Sequence, residues 1–169
     1  MRRSRAVSWG MLAVWGSWLT ALQAAAVSGT ALGSATPDLS LVLLLGCSTR
    51  LHRRDVVPAA LVVALGRIAY SVDPPAAVLA AYLSVAVAVR SARRVADVDR
   101  PAFRVLLGGL LALAVSAWLT LVHDLRSGSG TATAVAPLLP GAVATAVACV
   151  AAGGFVMLPG LTPLRRRRW

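Results

Sequence analysis

Few side chains in this sequence are equipped for chemistry, and their spacing decides which chemistry is open to them. His123 and Asp124 are adjacent, the combination used in general acid–base catalysis. Neighbouring positions on a helix point roughly 100° apart, and no Ser or Cys nucleophile stands beside the pair in a recognisable motif. Acid–base catalysis is therefore not read from it. Cys47 and Cys149 each lie alone in an apolar run, without a CxxC partner, and two histidines are too few for a metal cluster. They read as small residues at helix interfaces. The chain contains no phosphate-binding loop, nucleophile elbow, zinc-protease helix or dinucleotide fingerprint. The expectation is a non-enzymatic protein with no cofactor and no metal.

The informative polar residues are instead those set into apolar surroundings. Arg67 interrupts the run "ALVVALGRIAYSVDPPAA" at residues 60–77. At the centre of a bilayer an arginine costs about 2.5–3.5 kcal/mol on insertion scales, a cost that falls when its long stem reaches toward the headgroups. Asp73, six residues on, and Asp38 are both possible partners. Two roles stay open for Arg67: a structural anchor, or contact with a partner or ligand. In "TPDLSLVLLL", Pro37 suits a first helical turn, Asp38 suits the positive end of the helix dipole, and Thr36 suits the N-cap. Gln23, the one amide within the apolar regions, has the reach for a hydrogen bond between helices. With Ser71 these make the candidate interaction or structural set: Gln23, Asp38, Arg67, Ser71 and Asp73.

The elements that must position these residues follow from hydropathy. The chain has 169 residues, is 58% hydrophobic and has a mean hydropathy of +0.76. Such a composition, in recurring apolar runs, predicts an all-α polytopic transmembrane bundle forming a single domain over residues 1–169. About six spans can be drawn, at residues 7–27, 32–48, 56–72, 74–89, 102–123 and 134–158. The third and fourth, joined only by "SVDPP", form an antiparallel helical hairpin. Small residues recur every fourth position in four spans: Ala13/Ser17/Ala21/Ala25, Ala76/Ala80/Ser84/Ala88, Gly108/Ala112/Ser116/Thr120 and Gly141/Thr145/Cys149/Gly153. Such stripes predict close helix crossings.

The net charge of +11 is carried by arginine alone, since Lys and Glu are absent. In a soluble protein it would suggest nucleic acid; here its distribution argues for a membrane and against a nucleic-acid partner. All arginines except Arg67 and Arg126 fall on one side of a six-span thread. Positive loops stay cytoplasmic, so both termini are expected there, with the chain multi-pass in the inner (plasma) membrane. An alternative reads "QAAA" near residue 23 as the end of a cleaved signal peptide; the length of the first run and its Trp9, Trp15 and Trp18 favour a retained span. The terminal "RRRRW" places four arginines against anionic lipid.

Gln23 late in the first span, "PDLSLVLLL" at residues 37–45 and "GRIAYSVDPPAAVLAAY" at residues 66–82 together resemble the MreD family, bacterial rod shape-determining membrane proteins. In the hairpin, Ser71, Pro74 and Tyr82 match the family pattern. Ile68 stands where an acid is usual and Ala76 where a glycine is usual. The resemblance implies a non-catalytic subunit of the cell-elongation complex. It implies partnership with MreC and, in the wider complex, with MreB, RodA and a class B penicillin-binding transpeptidase. The family is likened in fold to the substrate-binding subunits of energy-coupling-factor transporters, so a small-molecule-binding transporter subunit is the alternative expectation.

Overall fold

The computed structural model of the chain describes residues 2–29, 33–95, 100–128 and 136–151, with Leu158 and Leu161. The terminal arginines 165–168 and Trp169 lie outside the described residues, as does Gly153. Six α-helices are present among the described residues: α1 (Arg2–Gly29), α2 (Leu39–Arg50), α3 (Val56–Ile68), α4 (Pro75–Val95), α5 (Pro101–Ser127) and α6 (Leu139–Ala151). Short 3-10 turns at Gly33–Ala35 and Ala136–Leu138 precede α2 and α6, and there is no strand among the described residues. Parts of α1, α4 and α5 are long and apolar enough to cross a membrane: Ala6–Gly29, Pro75–Arg94 and Pro101–Ser127. α2, α3 and the described part of α6 are shorter apolar helices.

Local chemistry explains where the third helix stops. Hydropathy predicts a span to residue 72, whereas α3 ends at Ile68. Beyond a turn at Ala69 and Tyr70, the Ser71 hydroxyl accepts the Asp73 backbone N–H and donates to the Asp73 carboxylate. That local turn competes with continued helix. Pro74 then has no N–H to give, and Pro75 opens α4 at a position where none is needed. The fourth helix consequently begins one residue later than expected and runs on to Val95.

α2 is the hub of the bundle. Its sequence is apolar all round, the mark of a helix enclosed on every side, and residues 40–49 are all buried. It touches α1, α3, α4, α5 and α6, while α1 packs on α3, α3 on α4, α4 on α5 and α5 on α6. The arc closes between α6 and α1 through the turn Gly33–Ala35, which both touch. Leu41, Val42, Leu43, Leu44, Val56, Val63, Val78 and Tyr82 form the fully buried centre. Outward faces of α1 and α5 carry Val7, Val14, Trp18, Leu22, Leu106, Leu110, Trp118 and Leu121 exposed.

Two of the four small-residue stripes are packing faces. Gly108 and Ala112 on α5 and Thr145 and Cys149 on α6 are buried against one another's helices. A β-carbon at Gly108 would collide with Cys149 Sγ, and one at Gly109 would stand 3.2 Å from Ala146 Cβ. The stripe on α4 is a correction: Ala76, Ala80 and Ser84 are exposed, and the helix packs through Ala77, Ala81, Val85 and Val89 instead. On α1, Ala13 and Ala25 are likewise exposed, and the buried face runs through Leu12, Gly16 and Leu19. Alanine is too common in these helices for its spacing alone to choose the face. The close crossing of α1 is on α3, where a β-carbon at Gly66 would lie 3.2 Å from the Ser17 backbone nitrogen and 3.3 Å from the Gly16 carbonyl carbon.

These contacts set the two ends of the bundle apart. Arg93 of α4 donates from Nη1 to the carbonyls of Ser48 (2.8 Å) and Leu51 (3.1 Å) at the close of α2. The turn bearing Arg53 and Arg54 therefore shares one end with the last turns of α4 and the start of α5, where Arg90, Arg94 and Arg100 are exposed. Gln23, the α2 start, the α3–α4 turn and His123 occupy the other end.

Gly66→Leu is expected to force α1 and α3 apart and lower the thermal unfolding midpoint, as overpacking typically costs about 1–3 kcal/mol. Gly10→Leu, where nothing lies within 4 Å of the added carbon, should leave it unchanged. Equal midpoints for the two variants in detergent would refute the close crossing.

Candidate functional site

Asp38 organises the end of the bundle where α2 begins. It is the N-cap: its backbone is extended (φ −76°, ψ 90°) and Oδ1 accepts the Leu41 N–H at 2.9 Å. Thr36, expected to be the cap, instead donates its hydroxyl to the Gly33 carbonyl at 2.9 Å and closes the preceding 3-10 turn. Pro37 accordingly sits outside the helix rather than in its first turn. A carboxylate fits the cap better here because one oxygen can cap while the other takes a cation. Asp38 Oδ2 accepts from Arg67 Nη1 at 2.9 Å, with about 15% of each side chain exposed. The Tyr82 hydroxyl, wholly buried, donates to Oδ1 at 3.2 Å and is 3.4 Å from Oδ2.

Two more amides at the start of α2, those of Leu39 and Asp38, are met by other helices. Gln23 Oε1 of α1 accepts the Leu39 N–H at 3.0 Å. Thr145 Oγ1 of α6 accepts the Asp38 N–H at 2.9 Å while donating to the Gly141 carbonyl at 2.7 Å. Orphan donors of a helix start cost free energy when buried without partners. Here side chains from α1 and α6 satisfy them, and Thr20 of α1 meets Ser40 of α2 at 2.9 Å.

Of the five residues singled out in the sequence, three converge. Gln23, Asp38 and Arg67 meet at the start of α2, whereas Ser71 and Asp73 bond to each other in the α3–α4 turn. Asp38, and not Asp73, is the ion-pair partner of Arg67. The sequence reading missed Thr145 and Arg93 as capping groups and Tyr82 as a hydrogen-bond donor. Tyr82 carried a signal, since a phenol in an apolar helix needs a partner when buried; Thr145 was indistinguishable from other small residues. Arg67 Nε is buried without a partner.

Beside the network lies a cavity of about 380 Å³, walled by Gln23, Asp38, Arg67, Asp73, Thr120 and His123, with Thr36, Ser116, Thr145 and four less polar residues completing it. That volume falls at the lower end of the ~300–1,000 Å³ range of small-molecule sites. No group of three or more metal-ligating side chains occurs among the described residues. His123 and Asp124 share no hydrogen bond among the described residues, and of the two only His123 reaches the cavity. Comparison with family models, with curated proteins and with solved structures gives no match.

Removing one member of a buried pair leaves the other uncompensated, typically at a cost of ~3–5 kcal/mol, whereas removing both is often nearly neutral. Arg67→Leu is therefore expected to destabilise more than the double variant Asp38→Asn/Arg67→Leu, in which Asn still caps α2. Thermal unfolding of the three proteins measures this. A double variant less stable than Arg67→Leu alone would show that the pair is not the principal interaction of Asp38.

Proposed function

We propose that this chain is a non-enzymatic, six-span subunit of the bacterial cell-elongation complex. In this reading both termini are cytoplasmic in the inner membrane, and the chain contributes to cell shape by binding MreC and, with it, the peptidoglycan synthesis proteins. The observation that carries the reading is a convergence. Gln23, "PDL" at residues 37–39 and Tyr82, which bear the likeness to MreD from separate stretches of sequence, come together with Arg67 at the start of α2, Gln23 on the Leu39 N–H and Tyr82 and Arg67 on the Asp38 carboxylate. A likeness spread over unrelated surface positions would have carried less weight.

The six-span thread is supported by the exposed apolar faces of α1 and α5 and by the exposed Arg53, Arg54, Arg90, Arg94 and Arg100 at one end of the bundle, with Arg67 and Arg126 at the other. Contiguous apolar surface of that kind is unusual on a soluble monomer, and the arginine-rich end is the one expected in the cytoplasm. A small-molecule carrier is the second reading. The cavity favours it, because the polar groups that look scattered in the sequence line one space.

Affinity purification of the tagged chain from membranes should recover MreC or the transpeptidase, and depletion should round the cells. Neither partner recovered, with normal shape on depletion, would defeat the elongation reading. A reporter fused to the carboxyl end should report the cytoplasm.

A further inference from the structure

The cavity's walls differ in what they offer a ligand. The charged side chains among them are Asp38, Asp73 and Arg67, so with His123 neutral they carry one net negative charge. Asp38 and Arg67 offset each other's charge through Nη1 and Oδ2. Among the described residues, Asp73 has only its local hydrogen bonds with Ser71, which leaves its second carboxylate oxygen as an acceptor. The hydroxyls have a fixed sense as well. Thr36, Thr120 and Thr145 commit their protons to the carbonyls of Gly33, Ser116 and Gly141 at 2.9, 2.9 and 2.7 Å. A hydroxyl whose proton is engaged presents only lone pairs. Gln23, with its carbonyl oxygen used by Leu39, supplies donors from its amide nitrogen.

We infer that this cavity receives an N–H cation, a primary ammonium or guanidinium group, held by Asp73 and the hydroxyl oxygens of Thr120 and Thr36. The complement of an acceptor-rich, net negative wall is a group that is positive and donates in several directions, as an ammonium does with its three N–H bonds. An anion would meet the carboxylate of Asp73 and the lone pairs of the threonines. A quaternary ammonium has the charge without the donors and would leave those acceptors unmet. The inference requires only the cavity, so it does not stand or fall with the elongation reading, whose test is co-purification.

The test is thermal unfolding of the purified full chain in nanodiscs, titrated with n-butylammonium chloride and, at equal ionic strength, tetramethylammonium chloride. The midpoint should rise saturably with n-butylammonium, as for any ligand of the folded state, and not with tetramethylammonium. Asp73→Asn should weaken the apparent affinity about tenfold or more, the loss of one charge-assisted hydrogen bond, and Thr120→Val by a few-fold. If Asp73→Asn does not fold, Thr120→Val and the paired salts still decide. Acetyl-lysine methylamide binding more tightly than n-butylammonium would identify a protein side chain as the source of the cation; the reverse order would identify a free amine. Equal responses to the two ammonium salts, no response to either amine, or undiminished affinity in the folded variants would overturn the proposal.

Discussion

A short helix enclosed on all sides has no water to satisfy its ends, and that constraint shapes the rest of this molecule. α2 spans 12 residues, roughly 18 Å at 1.5 Å per residue, against about 30 Å for a hydrocarbon core. Its termini therefore fall within the bundle. In a bilayer, non-helical backbone at such depth is tolerated only where protein covers it. Each buried amide or carbonyl without a partner costs about 1–3 kcal/mol. Gln23, Asp38 and Thr145 meet the Leu39, Leu41 and Asp38 amides at the start, and Arg93 and the Leu51 N–H meet carbonyls at the close. These partners come from α1, α4 and α6 as well as from the cap itself. Apolar packing would allow those helices to slide or rotate about α2; the hydrogen bonds fix their register.

The ion pair obeys the same logic. Asp38 stands at the positive end of the α2 dipole, and Arg67 lies in the last turn of α3, at a negative end. Each charge is thus favoured twice, by its partner and by a helix terminus, and that helps to offset the desolvation of two groups with about 15% of their side chains exposed. Tyr82 supplies a further donor to the carboxylate. Arg93 repeats the arrangement at the opposite end, a cation in the last turn of α4 set against the C-terminal carbonyls of α2.

The helices were legible in the sequence because hydropathy and turn chemistry act locally. Thus all six helices fall within or across the expected spans, and the hairpin after α3 follows from Ser71, Asp73 and the two prolines. Asp38, Arg67 and Gln23 also stood out, since a polar group in an apolar run must be answered by something. What answers it was not legible. Thr36 and Asp38 are both good caps, and the choice between them depends on Arg67 and Tyr82, 29 and 44 residues away along the chain. Packing faces failed on α1 and α4 for a related reason. With Ala on several faces of a helix, only its neighbours determine which face turns inward.

Polar residues at this end of the bundle therefore divide into two groups. Gln23, Asp38, Arg67 and Tyr82 are engaged with α2 or with one another and act on architecture. Substituting them would alter recognition mainly through the fold. Asp73, Thr120 and His123 reach the same cavity without closing either end of α2, so they are at liberty to meet something from outside.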